Sequence, residues 1–307
     1  MSCVDIACLR VGIIVYTPRV SSMTKGLLWV ALAGVLFVVF TALVRYVGNE
    51  LHPIQAAFTR YLFGLLVLLP LVLRRRAALF RTCHLRLHGF RGFIHAIAVM
   101  LWFFAASQLP IAEVTALSFI APIFVVIGAV FFLRERFTRP RIIAVALGLV
   151  GVLFILRPGV AVVQWGALAM LAAAPLFAAS KVLTKFLVRD DSSGTLVVYL
   201  SIFATLTMLA PALWVWQSPS QPDLVFLAGT AIFATTSHLC MARGLALVDV
   251  TVSQPIDFLQ LVWSTMIGLI FFAESPVIWG WVGAGVVFLS ATYMARLESR
   301  PVQPTEL

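Results

Sequence analysis

The sequence predicts an all-α integral membrane protein with ten transmembrane helices, arranged as two five-helix inverted repeats. Composition is the first reason. The 307 residues are 62% hydrophobic and 11% charged, whereas soluble domains carry roughly 45–50% apolar and about 25% charged residues. A chain this apolar cannot bury its surface in one aqueous core, so the expected solvent is a bilayer. An internal repeat and a one-sided distribution of basic residues are the other reasons.

Ten segments are apolar enough and, at about 20 residues each, long enough to cross a bilayer. The segments are continuously apolar, whereas polar and apolar residues would alternate along the strands of a membrane barrel. The pattern therefore predicts helices. Short segments rich in Pro, Gly, Ser and Asp separate them. The predicted spans cover residues 26–46, 53–73, 89–109, 112–133, 140–157, 163–188, 194–217, 222–246, 249–273 and 277–296.

The internal repeat relates the fourth span to the ninth and the first to the sixth. A repeat of about 140 residues is too long for a solenoid unit and is typical of a transporter built from two duplicated halves. We therefore divide the chain into a first repeat, 26–157, and a second, 163–296, with tails 1–25 and 297–307. At a spacing of 136, Ala106, Leu109, Glu113, Val114 and Thr115 match Ala242, Leu245, Asp249, Val250 and Thr251. At a spacing of 140, Gly26, Ala33, Leu36 and Phe37 match Gly166, Ala173, Leu176 and Phe177.

Basic residues are concentrated in the connections that would lie on one side of the membrane. Placing both termini in the cytoplasm puts these clusters inside and leaves only Arg45 and Arg157 in outer loops, as the positive-inside rule predicts. The expected location is therefore the inner membrane. The clusters are Arg74, Arg75, Arg76, Arg81, Arg86 and Arg91 between spans two and three, Arg134, Arg136, Arg139 and Arg141 between spans four and five, and Lys185 and Arg189 between spans six and seven.

This orientation makes the two repeats inverted. Five helices is an odd number, so the second half enters the bilayer from the opposite side. Glu113 then begins the fourth span at the outer face, and Asp249 begins the ninth at the inner face. Such an arrangement lets one site open alternately to either side.

Several motifs resemble those of the EamA family of the drug/metabolite transporter superfamily, over nearly the whole chain from Gly26 to Arg296. The resemblance implies a ten-helix transporter. It rests on Thr59-Arg60-Tyr61, Ala121-Pro122-Ile123-Phe124, Phe132-Leu133-Arg134-Glu135-Arg136, Gly148-Leu149-Val150-Gly151 and Phe271-Phe272-Ala273-Glu274.

The ninth span is the richest in polar residues, which are costly inside a bilayer. They recur every three or four residues and so share one helical face, which is expected to point into the bundle. Asp257 lies near mid-membrane, where it would bind substrate or a proton, or form a structural ion pair. Gln260 is a further substrate-binding candidate. The polar positions are Ser253, Gln254, Asp257, Gln260 and Ser264.

Two basic residues could pair with Asp257. Arg60 shares a helical face with small residues, so it is expected to point inward. There its planar guanidinium could bind a substrate carboxylate or phosphate through two N–H groups; a structural role is the alternative. Lys181 either reaches the substrate cavity or snorkels to the cytoplasm. His238 is the remaining candidate, as a substrate ligand or proton shuttle; a helix–helix hydrogen bond is its alternative role. Asp257, His238 and Glu113 are the proton-coupling candidates.

The predicted function is secondary transport by alternating access, with no cofactor and no metal site. Partners would be a small-molecule substrate and the lipid bilayer, with a homodimer as an option. Nucleic-acid binding is not expected, because the net charge of +10 comes from loop arginines and no basic domain exists.

We favour a small charged or zwitterionic substrate, because the cavity candidates carry both signs of charge. The family resemblance implies amino-acid-derived compounds, including opine-type metallophores, with export as the favoured direction. It also allows uptake of a vitamin such as riboflavin or a nucleoside-like metabolite, which would rely on aromatic residues such as Trp102 and Phe103. A membrane-embedded enzyme or a structural subunit is a distant alternative, since no catalytic motif is present.

Overall fold

In the computed structural model, the described residues are 20–47, 51–108, 117–118, 121–135, 138–156, 165–272 and 278–298. They form helices joined by short turns and contain no strand, so the all-α prediction is confirmed for them. The helices are α1 (Val20–Val47), α2 (Pro53–Arg75), α3 (Leu85–Gln108), α4 (Ala121–Leu133), α5 (Arg139–Leu156), α6 (Trp165–Leu187), α7 (Ser193–Trp214), α8 (Gln221–Leu247), α9 (Val250–Asp257), α10 (Leu259–Phe272) and α11 (Ile278–Glu298), with a 3-10 helix at Arg76–Phe80.

Seven helical segments in the described part of the chain are long and apolar enough to cross a membrane. They are α2, α3, α6, α7, α8, the stretch Ser22–Val44 of α1 and the stretch Val250–Phe271 formed by α9 and α10. α4 and part of α11 are shorter apolar helices. The chain is therefore a multi-pass membrane protein.

The surface of the bundle has the composition that lipid requires. Large apolar side chains project outward along the helices, for example Leu66, Phe131 and Phe271, which are 60%, 76% and 74% exposed. Trp165 begins α6 and Trp214 ends α7, with exposures of 79% and 92%. Both tryptophans lie at the predicted outer face, where such side chains settle at the membrane–water interface.

The ninth predicted span is two helices. α9 ends at Asp257, Phe258 forms a turn and α10 begins at Leu259. Pro255 has no N–H to continue the helical ladder, and the Leu261 N–H bonds to the Phe258 carbonyl at 3.0 Å, one residue closer than in an α-helix. The interruption places Asp257 at a helix end inside the bundle.

The third span also departs from its prediction. α3 begins at Leu85, four residues before the predicted start of the span. Arg91, which we had counted with the basic inner loop although the predicted span 89–109 contains it, lies inside the helix and is only 4% exposed. Its Nη1 donates a hydrogen bond to the Leu196 carbonyl at 3.1 Å. Assigning Arg91 to the loop was wrong.

The most extensive helix contacts connect the first half of the chain to the second. α1 packs along α8, α3 along α6, α2 along α7 and α5 along α11. Further contacts join α2 to α8, α3 to α7, α4 to α6 and α1 to α10. The two halves are thus interleaved.

Glycines allow α1 and α8 to approach closely. In the α1–α8 pair, a Cβ atom at Gly244 would lie 3.1 Å from the Gly26 carbonyl oxygen and 3.2 Å from the Val30 nitrogen. Ser237 on α8 donates a hydrogen bond to the Ala33 carbonyl of α1 at 2.8 Å. Small residues at such contacts are the usual means of tight helix association in membranes.

Replacing Gly244 by Ala should therefore destabilise the protein. The new methyl group meets backbone atoms of α1, which cannot move aside as a side-chain tip can, so we expect a loss of about 1–3 kcal/mol. Gly285→Ala is the matched control, because nothing lies within 4 Å of a Cβ at that position, and it should be neutral or slightly stabilising. Thermal unfolding of the purified variants in detergent measures both. Equal unfolding midpoints for the two variants would contradict the close contact.

Candidate functional site

A cavity of about 760 Å³ lies between the helices of the two halves. Its walls come from α1, α2, α3, α4, α6, α8, α9 and α10, and from none of the described residues of α5, α7 or α11. The sequence-predicted binding residues Arg60, Lys181, His238, Asp257 and Gln260 all line it. Glu113 lies outside the described residues, so its proton-coupling role stays a prediction.

Asp257 and Lys181 form an ion pair in this cavity. Lys181 Nζ donates to Asp257 Oδ2, and the two side chains are 18% and 12% exposed. Gln254 Nε2 lies 3.5 Å from the same oxygen. The other oxygen, Asp257 Oδ1, is buried without a hydrogen-bond partner among the described residues. Lys181 therefore does not snorkel to the cytoplasm in this conformation.

The break after α9 is supported by its packing. Phe258 is fully buried, and its ring lies against Gly148 of α5, where a Cβ atom would collide with it. Phe258 is thereby held at the turn and Asp257 is directed into the cavity. Interrupted helices whose ends face a central site are common in secondary transporters.

Arg60 and Arg91 are two further basic groups in the wall. Arg60 is 3% exposed, and its guanidinium carbon lies 3.8 Å from the centre of the Tyr61 ring and 5.3 Å from that of Phe40. Arg91 also lines the cavity. Sequence reasoning did not name Arg91 as a cavity residue, because it counted Arg91 with the basic loop although the predicted span 89–109 contains it.

Two histidines meet in the wall of the cavity. The ring centres of His95 and His238 are 5.4 Å apart, and His95 Nδ1 lies 3.0 Å from Ser180 Oγ. The contact between His95 and Ser180 connects α3 to α6, as expected for a helix–helix hydrogen bond. Among the described residues no three His, Cys, Asp or Glu side chains are placed to hold a metal ion.

One part of the wall is aromatic. The Phe40 and Trp102 rings stack with centres 6.0 Å apart and planes 28° from parallel. Phe103 packs edge-on against Trp102 at 5.2 Å, and Phe37 lies 5.4 Å from Phe40. These rings and Phe177 all border the cavity. Such a wall can stack on a flat ring of a substrate.

A polar cluster joins the halves at the predicted cytoplasmic end. We call Glu135, Arg141, Lys185 and Asp249 the inner cluster. Glu135 accepts hydrogen bonds from the first turn of α9, from Val250 N at 2.9 Å, Thr251 N at 3.0 Å and Thr251 Oγ1 at 2.8 Å. It thus caps the helix, as a carboxylate at a helix N-terminus should.

The other members of the inner cluster close the same end. Arg141 Nη1 lies 3.2 Å from Asp249 Oδ2. Lys185 Nζ donates to the Leu245 carbonyl at 2.9 Å and the Val248 carbonyl at 2.7 Å, and lies 3.9 Å from Asp249 Oδ1. Side chains from both halves are therefore held against the junction between α8 and α9.

A multi-pass helical membrane protein with an aromatic and charged cavity between two interleaved halves has the features of a small-solute transporter. The comparison with known families agrees. The EamA-like transporter family matches residues 24–157 and again residues 164–296. The chain belongs to this family, within the drug/metabolite transporter superfamily, and is a transporter of small metabolites and not an enzyme.

Two relatives have informative names. A riboflavin transporter of Brucella anthropi is 31% identical over 251 residues, covering 79% of this chain and 88% of the relative. An S-adenosylmethionine uptake transporter of Rickettsia prowazekii is 27% identical over 252 residues, covering 82% of this chain and 86% of the relative.

The fold has also been seen in a solved crystal structure. That structure superposes with a TM-score of 0.74, covers 93% of this chain and all of its own, and is 17% identical in sequence. At this identity the match supports the fold alone.

Proposed function

We propose that the protein imports a small ring-bearing metabolite of the riboflavin or nucleoside kind by alternating access. The observation that carries this proposal is the Phe40–Trp102 aromatic wall inside a cavity that also presents buried polar groups. The volume of about 760 Å³ lies within the range of roughly 300–1,000 Å³ that is usual for small-molecule sites.

The names of the relatives favour this alternative over export of an amino-acid-derived compound. One relative is a riboflavin transporter and the other is named for uptake of S-adenosylmethionine. Both solutes contain a flat heteroaromatic ring, for which the aromatic wall is suited. Neither name refers to an opine-type metallophore or to export. We therefore favour uptake of a ring-bearing metabolite over export of an amino-acid-derived compound.

We further propose the ten-helix inverted-repeat architecture. Exchanging α1 with α6, α2 with α7, α3 with α8, α4 with the α9–α10 pair and α5 with α11 exchanges the two halves. The α1–α8 contact then becomes α6–α3, the α2–α8 contact becomes α7–α3 and the α4–α6 contact becomes α10–α1, all of which are present. The double match of one family model supports the same duplication.

The proposed orientation places both termini in the cytoplasm and the protein in the inner membrane. In that orientation the inner cluster closes the cytoplasmic end. The cavity lining reaches Val44, Leu51, Pro53 and Ser107, which lie at the outer ends of α1, α2 and α3. The conformation is therefore proposed to be the outward-facing one. Assembly as a homodimer stays a prediction.

The cavity residues are given these roles. Arg60, Lys181, His238, Asp257 and Gln260 bind the substrate, and Asp257, His238 and Glu113 are the proton-coupling candidates. Protonation of Asp257 would neutralise the partner of Lys181 and so couple a proton to a rearrangement of the cavity.

Growth of a riboflavin auxotroph that lacks its own transporter tests the proposal. Expression of the chain should allow growth at low riboflavin, and Trp102→Ala should raise the required concentration about three- to tenfold, because one stacking partner is lost. Trp214→Ala is the control, since that side chain is 92% exposed and should leave growth unchanged. No rescue by riboflavin, adenosine or S-adenosylmethionine in matching auxotrophs would refute uptake of this class.

A further inference from the structure

Arg60 and Arg91 are both buried in the wall of the cavity with part of their hydrogen-bonding capacity unused. Their exposures are 3% and 4%. The Nε atom of each is buried without a hydrogen-bond partner among the described residues. Arg91 donates one hydrogen bond, to the Leu196 carbonyl, and a guanidinium has five N–H donors.

The described cavity does not balance their charge. Asp257 is the one acidic residue among those lining it, and its carboxylate is already paired with Lys181. Neither Arg60 nor Arg91 forms an ion pair within the described residues. Since an arginine keeps its charge in a protein, the described part of the cavity holds two arginine cations that no described carboxylate pairs with.

Two such groups are costly inside a membrane protein, and ionisable residues there usually mark a substrate path. Contact with the Tyr61 and Phe40 rings stabilises the Arg60 cation in part. It leaves the Nε–H of Arg60 without an acceptor among the described residues. A carboxylate or phosphate is the acceptor that fits the planar guanidinium best.

The position of Arg60 also connects it to the aromatic wall. Phe40 contacts Arg60 on one side and Trp102 on the other. Arg60, Arg91 and His238 all line the same cavity. A ligand whose ring lies against Phe40 and Trp102 would therefore have its substituents within the reach of basic groups.

We infer that Arg60 and Arg91 form an anion-binding subsite, so that the transported ring-bearing metabolite carries a carboxylate or phosphate group. This inference rests on the proposed function, because it assigns the substrate class of the same cavity. Neutral ring compounds would bind through the aromatic wall alone, and more weakly.

Competitive binding to the purified full-length protein in lipid nanodiscs tests the inference. The probes are riboflavin 5′-phosphate with riboflavin, which differ by the phosphate group alone, S-adenosylmethionine with methylthioadenosine, of which only the first has a carboxylate, and inorganic phosphate as the ringless probe. In at least one pair the member with the phosphate or carboxylate should bind about tenfold more tightly or better, as expected for charge-assisted hydrogen bonds.

Substitutions then assign the preference to the two arginines. Arg60→Gln and Arg91→Gln should each remove most of this advantage, because the affinity for the member with the phosphate or carboxylate should fall several-fold more than the affinity for its partner. Arg60→Lys keeps the positive charge but not the paired N–H donors of the guanidinium, so it should retain part of the preference for the phosphate or carboxylate. Arg81→Gln, at an exposed position, should retain all of it.

The outcomes separate this inference from the proposed function. Equal affinities within both pairs, or variants that weaken both members alike, overturn the anion subsite and leave ring-compound uptake standing. Inorganic phosphate binding as tightly as the ring compounds supports the subsite and overturns a ring-bearing substrate. Binding of none of the five probes overturns both.

Discussion

Replacing Asp257 by Asn should reduce transport by about a hundredfold or more. The change leaves Lys181 as a cation in the cavity without its partner, and removing one member of a buried pair costs about 3–5 kcal/mol. It also removes the one carboxylate that lines the described cavity and that could take up a proton there. Initial uptake rates in proteoliposomes, normalised to the inserted protein, measure the effect.

A second variant separates a transport role from a structural one. Asp257→Asn combined with Lys181→Met removes both charges, so no unpaired cation remains. If the pair is only structural, this double variant should return to near-normal flux. Our proposal expects normal insertion and thermal stability with flux still lost. Asp190→Asn is the matched control, because that carboxylate is 63% exposed and pairs with His84 outside the cavity, and its flux should stay within about twofold.

Replacing Glu135 by Ala should open the cytoplasmic end of the cavity. The variant loses three hydrogen bonds to the first turn of α9, and each hydrogen bond to a charged group contributes about 1.5–3 kcal/mol. We expect the inward-facing population to rise about tenfold or more. A tenfold change in this population needs about 1.4 kcal/mol, so the loss of one of the three hydrogen bonds would be enough.

Cysteine accessibility measures this population. Met241→Cys, in a background without the native cysteines, places a reporter in the cavity wall toward the inner end of α8. A membrane-impermeant maleimide applied to inside-out vesicles should label it faster when Glu135 is Ala. Asp223→Asn is the control, because Asp223 caps α8 at the opposite end together with Ser220. Faster labelling in both variants would mean general loosening and would contradict a specific role of Glu135.

Much of the fold could be predicted from the sequence because membrane constraints are severe. Each bilayer crossing needs a continuous apolar helix, so the helix positions follow from hydropathy to within a few residues in most cases. The loop assignment of Arg91 was an error of a different kind. A count of basic residues treats every arginine near a span end as a loop residue, so it counted Arg91 with the loop although the predicted span 89–109 contains it.

The composition of the site was predicted better than its pairing. Periodicity identified the polar face of the ninth span with Asp257, and the small residues beside Arg60 predicted that it points inward, whereas Lys181 was left between the cavity and the cytoplasm. Which cation pairs with Asp257 depends on how α6 crosses α9, and a sequence without its tertiary packing does not contain that angle. The helix break at Phe258 likewise depends on Gly148, more than 100 residues away, in addition to Pro255.

Initial rates of labelled riboflavin uptake into proteoliposomes that contain the purified protein, with and without an imposed proton gradient, test the central claim most directly. Uptake should be saturable, should be lost in Asp257→Asn, and should be inhibited by unlabelled ring-bearing anions. Vesicles that accumulate neither riboflavin nor S-adenosylmethionine under any ion gradient, from a protein that is folded and inserted, would contradict it.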